Sequence, residues 1–383
     1  MDWMVPDNQL DSIQLKTIEA IVDNQEKSHW VKGFAGSGKT IVLTHVLERL
    51  ANQTPPLKIC FATFTHALKD LVESGLSARS LDRIDITTFN GLGRLRNDYD
   101  MVVADEMQDI PSRMLPTIAR KSDVLIIAAD LDQSIYRSAC SPAELEAHIR
   151  PVTRHQLKEI HRINNNVFQV ATSVLTDAHV PSGAEVRDDD ELTRLIKARS
   201  IKDEFVTVCD EAIRVSSIGS PSAILLPSKA LLDRFIDIVA TAMSYEGQPP
   251  SVKDGDPPEP GDQADPFKDV NAYLKRNRSP LQVFGGGSGS LYESDERRMV
   301  YLMTYHSSKG LDFSNVFLPH LVDGTSLEPM KGATDEQERR LFFVASTRAR
   351  ERLYLSYHGE PHRFLDEISD DLLEEFKSPK RVY

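Results

Sequence analysis

The sequence has few cysteines, no long hydrophobic run and no excess of basic residues. Its three cysteines, Cys60, Cys140 and Cys209, are far apart and odd in number, so they form neither a disulfide framework nor a zinc-binding pattern. No apolar run approaches the ~18 residues that a membrane span needs. The first residues lack the basic start and apolar core of a signal peptide. We therefore expect a protein of the reducing cytoplasm.

Acidic residues outnumber basic ones, with 58 Asp and Glu against 45 Lys and Arg and a formal net charge of −13. This balance excludes a protein that holds nucleic acid through an overall positive charge. It leaves a local basic groove open, because binding depends on where the charges lie. The length of 383 residues predicts two or three domains at about 150 residues each.

Short apolar runs alternate with helical patterns along the chain, which is typical of parallel sheets covered on both faces. Strands are predicted at 29–33, 57–64, 84–88, 100–105 and 123–130, and again at 223–226, 300–305, 315–318 and 352–357. Helices are predicted at 10–23, 38–50, 65–76, 164–176, 229–243 and 335–350. We therefore expect an α/β fold with two domains, residues 1–150 and 151–383. The Pro-, Asp- and Gly-rich stretch 245–268 predicts a flexible loop.

Residues 33–40 (GFAGSGKT), between a predicted strand and a predicted helix, match the pattern G-x-x-x-x-G-K-[ST]. Glycines let backbone N–H groups surround phosphates, and the helix N-terminus adds its positive dipole end. In this pattern the lysine bridges the β- and γ-phosphates, and the threonine hydroxyl ligates Mg²⁺. The predicted phosphate site comprises Gly33, Gly36, Ser37, Gly38, Lys39 and Thr40.

Two adjacent carboxylates, Asp105 and Glu106, end a predicted strand about 65 residues after Thr40. This is where the second Mg²⁺-binding carboxylate of a P-loop NTPase belongs. Asp105 would hold the metal, and Glu106 would orient and deprotonate the attacking water. The two motifs together predict hydrolysis of a nucleoside triphosphate without saying what the hydrolysis drives.

An ordered series of further segments covers nearly the whole chain. They are 10–14 (LDSIQ), 63–66 (TFTH), 88–91 (TFNG), 105–109 (DEMQD), 132–136 (DQSIY), 159–162 (EIHR), 304–313 (TYHSSKGLDF) and 344–350 (VASTRAR). The series resembles the motifs of the UvrD/Rep-like superfamily 1 DNA helicases. The resemblance implies two RecA-like P-loop NTPase domains, with mainly parallel sheets and an ATP site in the cleft between them.

The resemblance also implies roles in binding and hydrolysing ATP. Gln14 would read the adenine, His161 stands where an aromatic residue sandwiches the base, and Asp312 stands where the family has a Glu that touches the ribose. Gln133 would sense the γ-phosphate. Two arginines, Arg162 and Arg348, would reach across the cleft from the second domain as arginine fingers, which couples hydrolysis to domain closure.

Contacts to single-stranded nucleic acid are implied for Phe64, Thr65, Phe89, Asn90, Tyr136 and His306. For Phe64 and Phe89, core packing is an equal alternative, and His306 could equally be an ordinary structural histidine. Ser138 stands where the family has a tryptophan that stacks on a base, and such stacking contributes ~1–3 kcal/mol per base. About 16 residues separate Phe89 from Asp105, where large family members insert an accessory domain. The chain thus resembles a minimal form.

Two hypotheses of function follow. The first is an ATP-dependent, Mg²⁺-requiring translocase or helicase on single-stranded DNA, which moves 3′ to 5′ as the resemblance implies. DNA is favoured over RNA by resemblance alone. The second is an ATPase switch subunit of a repair or defence complex, gated by nucleic acid or by a protein partner such as a nuclease, with no unwinding of its own. The missing accessory domains and Ser138 favour the second.

Overall fold

The chain forms two compact units in the computed structural model. It describes residues 4–95, 98–130, 134–135, 139–149, 151–187, 191–252, 267–285, 289–328 and 332–376. Gln133, Tyr136 and Ser138 lie outside these ranges, as does most of the predicted loop at 245–268. The N-terminal unit comprises Asp2–Arg162 with Ala178–Arg187, and the C-terminal unit comprises Ile163–Asp177 with Asp188–Tyr383.

The N-terminal unit contains a six-stranded sheet of order β3-β2-β4-β5-β1-β6, in which every pairing is parallel. Its strands are β1 (Ser28–Lys32), β2 (Ile59–Thr63), β3 (Ile84–Thr88), β4 (Met101–Ala104), β5 (Leu125–Ala129) and β6 (Val152–Gln156). Its helices are α1 (Ser12–Asp23), α2 (Lys39–Ala51), α3 (His66–Gly75), α4 (Ala78–Leu81), α5 (Phe89–Arg94), α6 (Leu115–Ala119) and α7 (Pro142–Ile149). The α/β fold with parallel sheets is confirmed.

Both faces of this sheet are covered, because successive strand residues point to opposite sides. Val31 and Ile126 belong to the apolar cluster on one face, while Trp30 and Ile127 belong to the cluster on the other. The central strands β2, β4 and β5 read as continuous apolar runs, and the sequence predicts five of the six strands. The sixth, β6, is a partly exposed edge strand without an apolar run.

A separate two-stranded sheet pairs β7 (Glu159–Asn164) with β8 (Glu185–Arg187). The division between the two units falls within β7, after Arg162. The sequence predicts the boundary between the two domains at residue 150 instead. The later division follows from β6, which pairs in parallel with β1 and so extends the first sheet.

The C-terminal unit contains a seven-stranded sheet of order β11-β12-β10-β13-β14-β9-β15, again with parallel pairings. Its strands are β9 (Thr193–Ala198), β10 (Ser222–Leu226), β11 (Leu281–Val283), β12 (Val300–Thr304), β13 (Phe313–Leu318), β14 (Ala349–His358) and β15 (Leu373–Glu375). Its helices are α8 (Asn165–Val174), α9 (Ile201–Val215), α10 (Lys229–Ala242), α11 (Lys268–Arg276), α12 (Asp335–Ser346) and α13 (Arg363–Asp366).

The helix predicted at 335–350 ends early, at Ser346, and β14 begins at Ala349. Residues from Ala349 onward form a strand rather than a continuation of the helix, because Ala349 pairs with Phe313 of β13. The Phe313 N–H also donates to the Arg348 carbonyl at 2.9 Å. Within the described ranges, no helix combines the length and hydropathy that a membrane span requires.

Candidate nucleotide-binding site

The turn between β1 and α2 requires glycine at two positions. Gly36 and Gly38 adopt φ values of 81° and 83°, a left-handed conformation that side chains other than glycine disfavour. Neighbouring groups also leave no room. A Cβ on Gly36 would lie 2.7 Å from the Cβ of Arg162, and one on Gly38 would lie 2.5 Å from the Gln14 Nε2. The glycine pattern thus reflects both the backbone and its packing.

The Lys39 ammonium group is held at the turn by three oxygens. Its Nζ donates to the carbonyls of Gly33 at 2.9 Å and Phe34 at 3.2 Å, and it lies 3.6 Å from Oδ2 of Asp130. Lys39 and Asp130 are both buried. Asp130 is absent from the predicted site residues. The sequence does contain a signal for it, since Asp130 follows an apolar strand as Asp105 does.

The two predicted metal ligands meet directly. Thr40 Oγ1 donates to Asp105 Oδ2 at 2.6 Å, and the Glu106 N–H donates to Asp105 Oδ1 at 2.8 Å. Asp105 is buried, and burial together with the neighbouring Glu106 carboxylate raises its pKa. A hydroxyl and a carboxylate side by side present the oxygen ligands that Mg²⁺ prefers.

Glu106 is held in an unusual conformation beside Asp105. Its φ of 58° costs on the order of 1–3 kcal/mol, which the surrounding structure must offset. The Gln108 side-chain amide donates to the Glu106 carboxylate. Gln108 is fully buried, and its Oε1 accepts from the Asp130 N–H at 3.1 Å. Gln108 therefore positions Glu106, a role that the sequence suggests only through the DEMQD segment as a whole.

Gln14 connects α1 to the phosphate turn. Asp11 caps α1 by accepting from the N–H groups of Ile13 and Gln14, and Gln14 Oε1 accepts from the Asp11 N–H at 3.1 Å. The Gln14 Nε2 donates to the Ser37 carbonyl at 3.1 Å. Asp11 Oδ2 also lies 2.7 Å from Nε2 of His161. Gln14 and His161, both predicted to contact the base, are thus brought to one side of the turn.

Arg162 lies beside the phosphate turn rather than in the second unit. The backbone N–H groups of His161 and Arg162 donate to the Gly36 carbonyl at 3.1 and 3.3 Å. These bonds attach the start of β7 to the turn. Of the two predicted arginine fingers, the structure places Arg162 in the N-terminal unit and Arg348 in the C-terminal unit.

The residues of this turn fit a nucleoside triphosphate with Mg²⁺. Ser37 Oγ is buried and has no hydrogen-bond partner in the described part of the chain, so a phosphate oxygen could accept from it. Lys39 and the N-terminus of α2 supply positive charge for phosphates. Thr40 and Asp105 would hold the metal ion.

Comparison with known families gives two matches along the chain. The sequence profile of an AAA domain matches residues 9–198, and that of the UvrD-like helicase C-terminal domain matches residues 287–360. These matches confirm the resemblance of the chain to the UvrD/Rep-like superfamily 1 helicases. The two matches cover the phosphate turn and carboxylates in one unit and the segments around His306, Asp312 and Arg348 in the other.

Individual relatives match over part of their length. The ATP-dependent DNA helicase PcrA of Staphylococcus epidermidis is 38% identical over 105 residues, and that of Bacillus subtilis is 40% identical over 104 residues. These alignments cover about a quarter of this chain, 23% and 24%, and 14% of each PcrA chain. The solved PRRSV helicase is similar with a TM-score of 0.45 at 16% identity, over 95% of this chain and 57% of that one.

In the C-terminal unit, neighbouring groups hold the Arg348 side chain in place. The side chain is buried. Its Nε donates to the Val344 carbonyl at 2.9 Å, Nη1 to the Leu311 carbonyl at 3.1 Å and Nη2 to Thr347 Oγ1 at 3.3 Å. The guanidinium is therefore fixed in direction within this unit.

His306 and Asp312 also lie in the segment that matches the UvrD-like helicase domain, and each has a titratable neighbour. Nε2 of His306 lies 3.3 Å from the buried Glu328 carboxylate, and burial lowers the pKa of His306. Asp312 is half-buried, with Oδ2 3.9 Å from Nε of Arg350. The contact with Glu328 is what an ordinary structural histidine would make, one of the two alternatives that the sequence leaves open.

The predicted strand-contacting residues of the N-terminal unit differ in exposure. Phe89 is buried in the core, and Phe64 packs against the same cluster while half-buried. Thr65 caps α3 by accepting from the Leu68 N–H at 3.2 Å. Asn90 is exposed. Phe89 therefore packs in the core, as one of the two alternatives predicts, whereas Asn90 lies on the surface.

Proposed function

We propose that this protein binds ATP with Mg²⁺ and hydrolyses it at the turn between β1 and α2. One observation carries the proposal: Thr40 and Asp105, the predicted metal ligands, lie 2.6 Å apart, next to the buried Lys39. The matches to an AAA domain and to the UvrD-like helicase C-terminal domain support the same activity. A lone phosphate-binding turn without this carboxylate would support binding alone.

The chain's own residues would share the work as follows. Lys39 would leave the carbonyls of Gly33 and Phe34 and turn to the β- and γ-phosphates. Thr40 and Asp105 would hold Mg²⁺, which when bound neutralises phosphate charge. Glu106, positioned by Gln108, would accept a proton from the attacking water.

We further propose that hydrolysis drives movement along single-stranded DNA, in the 3′ to 5′ direction that the family resemblance implies. The similar PcrA proteins are named ATP-dependent DNA helicases, and the C-terminal match is to a UvrD-like helicase domain. In this proposal ATP binding closes the two units, and Arg348, with its fixed guanidinium, then stabilises the charge on the transferred phosphoryl group. Arg162 would act from beside the phosphate turn.

A second candidate is an ATPase switch that unwinds nothing alone and acts with a nucleic acid or a protein partner such as a nuclease. Two observations favour it. Phe89, a predicted base contact, is buried, and Ser138 replaces the stacking tryptophan of the family. In either case we expect a cytoplasmic protein, which its three buried free cysteines support.

Two assays separate these functions. We expect ATP hydrolysis to rise on addition of oligo-dT, and Lys39→Ala to abolish hydrolysis with and without DNA. A forked duplex then tests strand separation. Stimulated hydrolysis with unwinding supports the translocase, and stimulated hydrolysis without unwinding supports the switch. Hydrolysis that does not respond to oligo-dT would sink the translocase proposal.

A further inference from the structure

Two histidines and a buried glutamate, none of which has a role assigned above, meet in the C-terminal unit. One carboxylate oxygen of Glu204 and one imidazole nitrogen each of His320 and His358 all lie within 4.8 Å of one another. Glu204 is fully buried, whereas both histidines are half-buried. An ion could therefore reach the group from the histidine side.

The parallel sheet brings these residues together. β13, β14 and β9 are neighbours in the sheet. His320 follows the end of β13, His358 is the last residue of β14, and Glu204 lies in the first turn of α9, directly after β9. Ligands of parallel α/β sheets bind outside the carboxyl ends of the strands, and all three residues lie at that edge.

The Glu204 carboxylate is oriented by three donors. Its Oε1 accepts from the His320 N–H at 2.6 Å and from Ser356 Oγ at 2.6 Å, while Oε2 lies 2.5 Å from Nδ1 of His358. This arrangement fixes both the carboxylate and the His358 ring. Bonds of this kind around a carboxylate and an imidazole are typical of the surroundings of metal ligands.

His320 supplies the observation that points beyond a structural network. Its Nδ1 is buried and has no hydrogen-bond partner among the described residues. Its φ of 68° is a strained conformation for a residue with a side chain, and such strain is concentrated at functional sites. An imidazole nitrogen held away from both water and protein donors is available to an ion.

We propose that Glu204, His320 and His358 bind a divalent transition-metal ion of the zinc class. Two imidazoles and one carboxylate form a known ligand set for such ions, and imidazole ligands disfavour Mg²⁺ and Ca²⁺. The proton between His358 and Glu204 moves to the other ring nitrogen when the ion binds, so neutral imidazoles serve as ligands. The ion would join α9 to the ends of β13 and β14. This proposal is independent of the ATP site.

The test uses the full chain, stripped of metal and titrated with Zn²⁺ alone in excess Mg²⁺, by calorimetry and by competition with a fluorescent chelator. His320→Asn suits this position because asparagine tolerates positive φ. His358→Gln keeps a donor for Glu204. We expect one tight Zn²⁺ equivalent. Each variant removes a ligand and should weaken binding by more than the about 10- to 100-fold that loss of an outer-shell partner causes.

Matched controls separate this site from others. His148→Gln removes an exposed surface imidazole, and His161→Gln disrupts the cluster of Asp11, Glu159 and His161. Neither should change the tight equivalent. Circular dichroism checks folding, and Co²⁺ offers a visible absorption band that both site variants should lose. Unchanged Zn²⁺ affinity in the folded His320→Asn protein, or no stoichiometric binding to the wild type, would overturn the proposal.

Discussion

Gly36→Ala should destabilise the N-terminal unit by more than its backbone strain alone. A non-glycine residue at φ 81° costs about 1–2 kcal/mol. The new methyl group would also lie 2.7 Å from the Cβ of Arg162, about 1 Å closer than an ordinary carbon contact. Relief by backbone shifts costs about 1–3 kcal/mol more, so we expect about 2–5 kcal/mol in total.

Gly183→Ala is the matched control, because Gly183 has a similar φ of 72° and an added Cβ would meet nothing within 4 Å. We expect it to cost only the backbone term, about 1–2 kcal/mol. Urea unfolding followed by tryptophan fluorescence reports this unit, since the chain's two tryptophans, Trp3 and Trp30, both precede residue 162. ATP affinity should also fall for Gly36→Ala alone, because the strained turn presents the N–H groups that would surround the phosphates. Equal stability and ATP affinity of the two variants would refute the packing of Arg162 against the turn.

Two further perturbations test other parts of the account. Thr40→Val removes the hydroxyl that donates to Asp105, so the rate of phosphate release from ATP, measured across a Mg²⁺ titration, should fall by at least about 100-fold. Thr40→Ser should keep most of this rate. Equal rates for the two variants would contradict the assignment of Thr40 to the metal. His29 Nδ1 lies 2.9 Å from His155 Nε2, and burial lowers the pKa of both, that of His155 to about 4. Because unfolded histidines take up protons near pH 6.5 and these do not, stability should fall as the pH falls from about 6.5 towards 4. The slope should reach up to about 1 kcal/mol per pH unit, since solvent screens the partly exposed His155. Urea curves across this range check it, and a His155→Gln protein with the same pH dependence as the wild type would count against it.

Much of the N-terminal site could be predicted from sequence because its geometry is local. The phosphate turn depends on glycines at fixed spacing, with a strand before them and a helix after them. The sequence of residues 28–51 predicts all three features. Two contacts of the site join segments that are distant in sequence. One is between Lys39 and Asp130, and the other is the hydrogen bond from the Arg162 N–H to the Gly36 carbonyl. No spacing rule encodes these contacts, so the sequence could not show that Asp130 contacts Lys39 or that Arg162 lies beside the phosphate turn.

Three of the elements that the sequence does not predict have weak apolar patterns. β6 and β15 are edge strands with few buried apolar residues, so the alternation signal is weak. The helix α9 buries Glu204 and Glu211 among its apolar residues, and buried glutamates read as polar positions that interrupt the apolar stripe. The same feature that concealed α9 supplies the carboxylate of the proposed metal site.

The most direct test of the central claim compares the wild type with Glu106→Gln for ATP binding and hydrolysis in Mg²⁺. Glu106 is placed by Gln108 beside Asp105, and the substitution keeps its size while removing the base. We expect near-normal ATP binding by both proteins. The wild type should hydrolyse ATP, and the variant should lose at least about 100-fold in rate, the low end for removing a general base. Hydrolysis by Glu106→Gln at the wild-type rate, or a wild type that does not hydrolyse ATP, would contradict it.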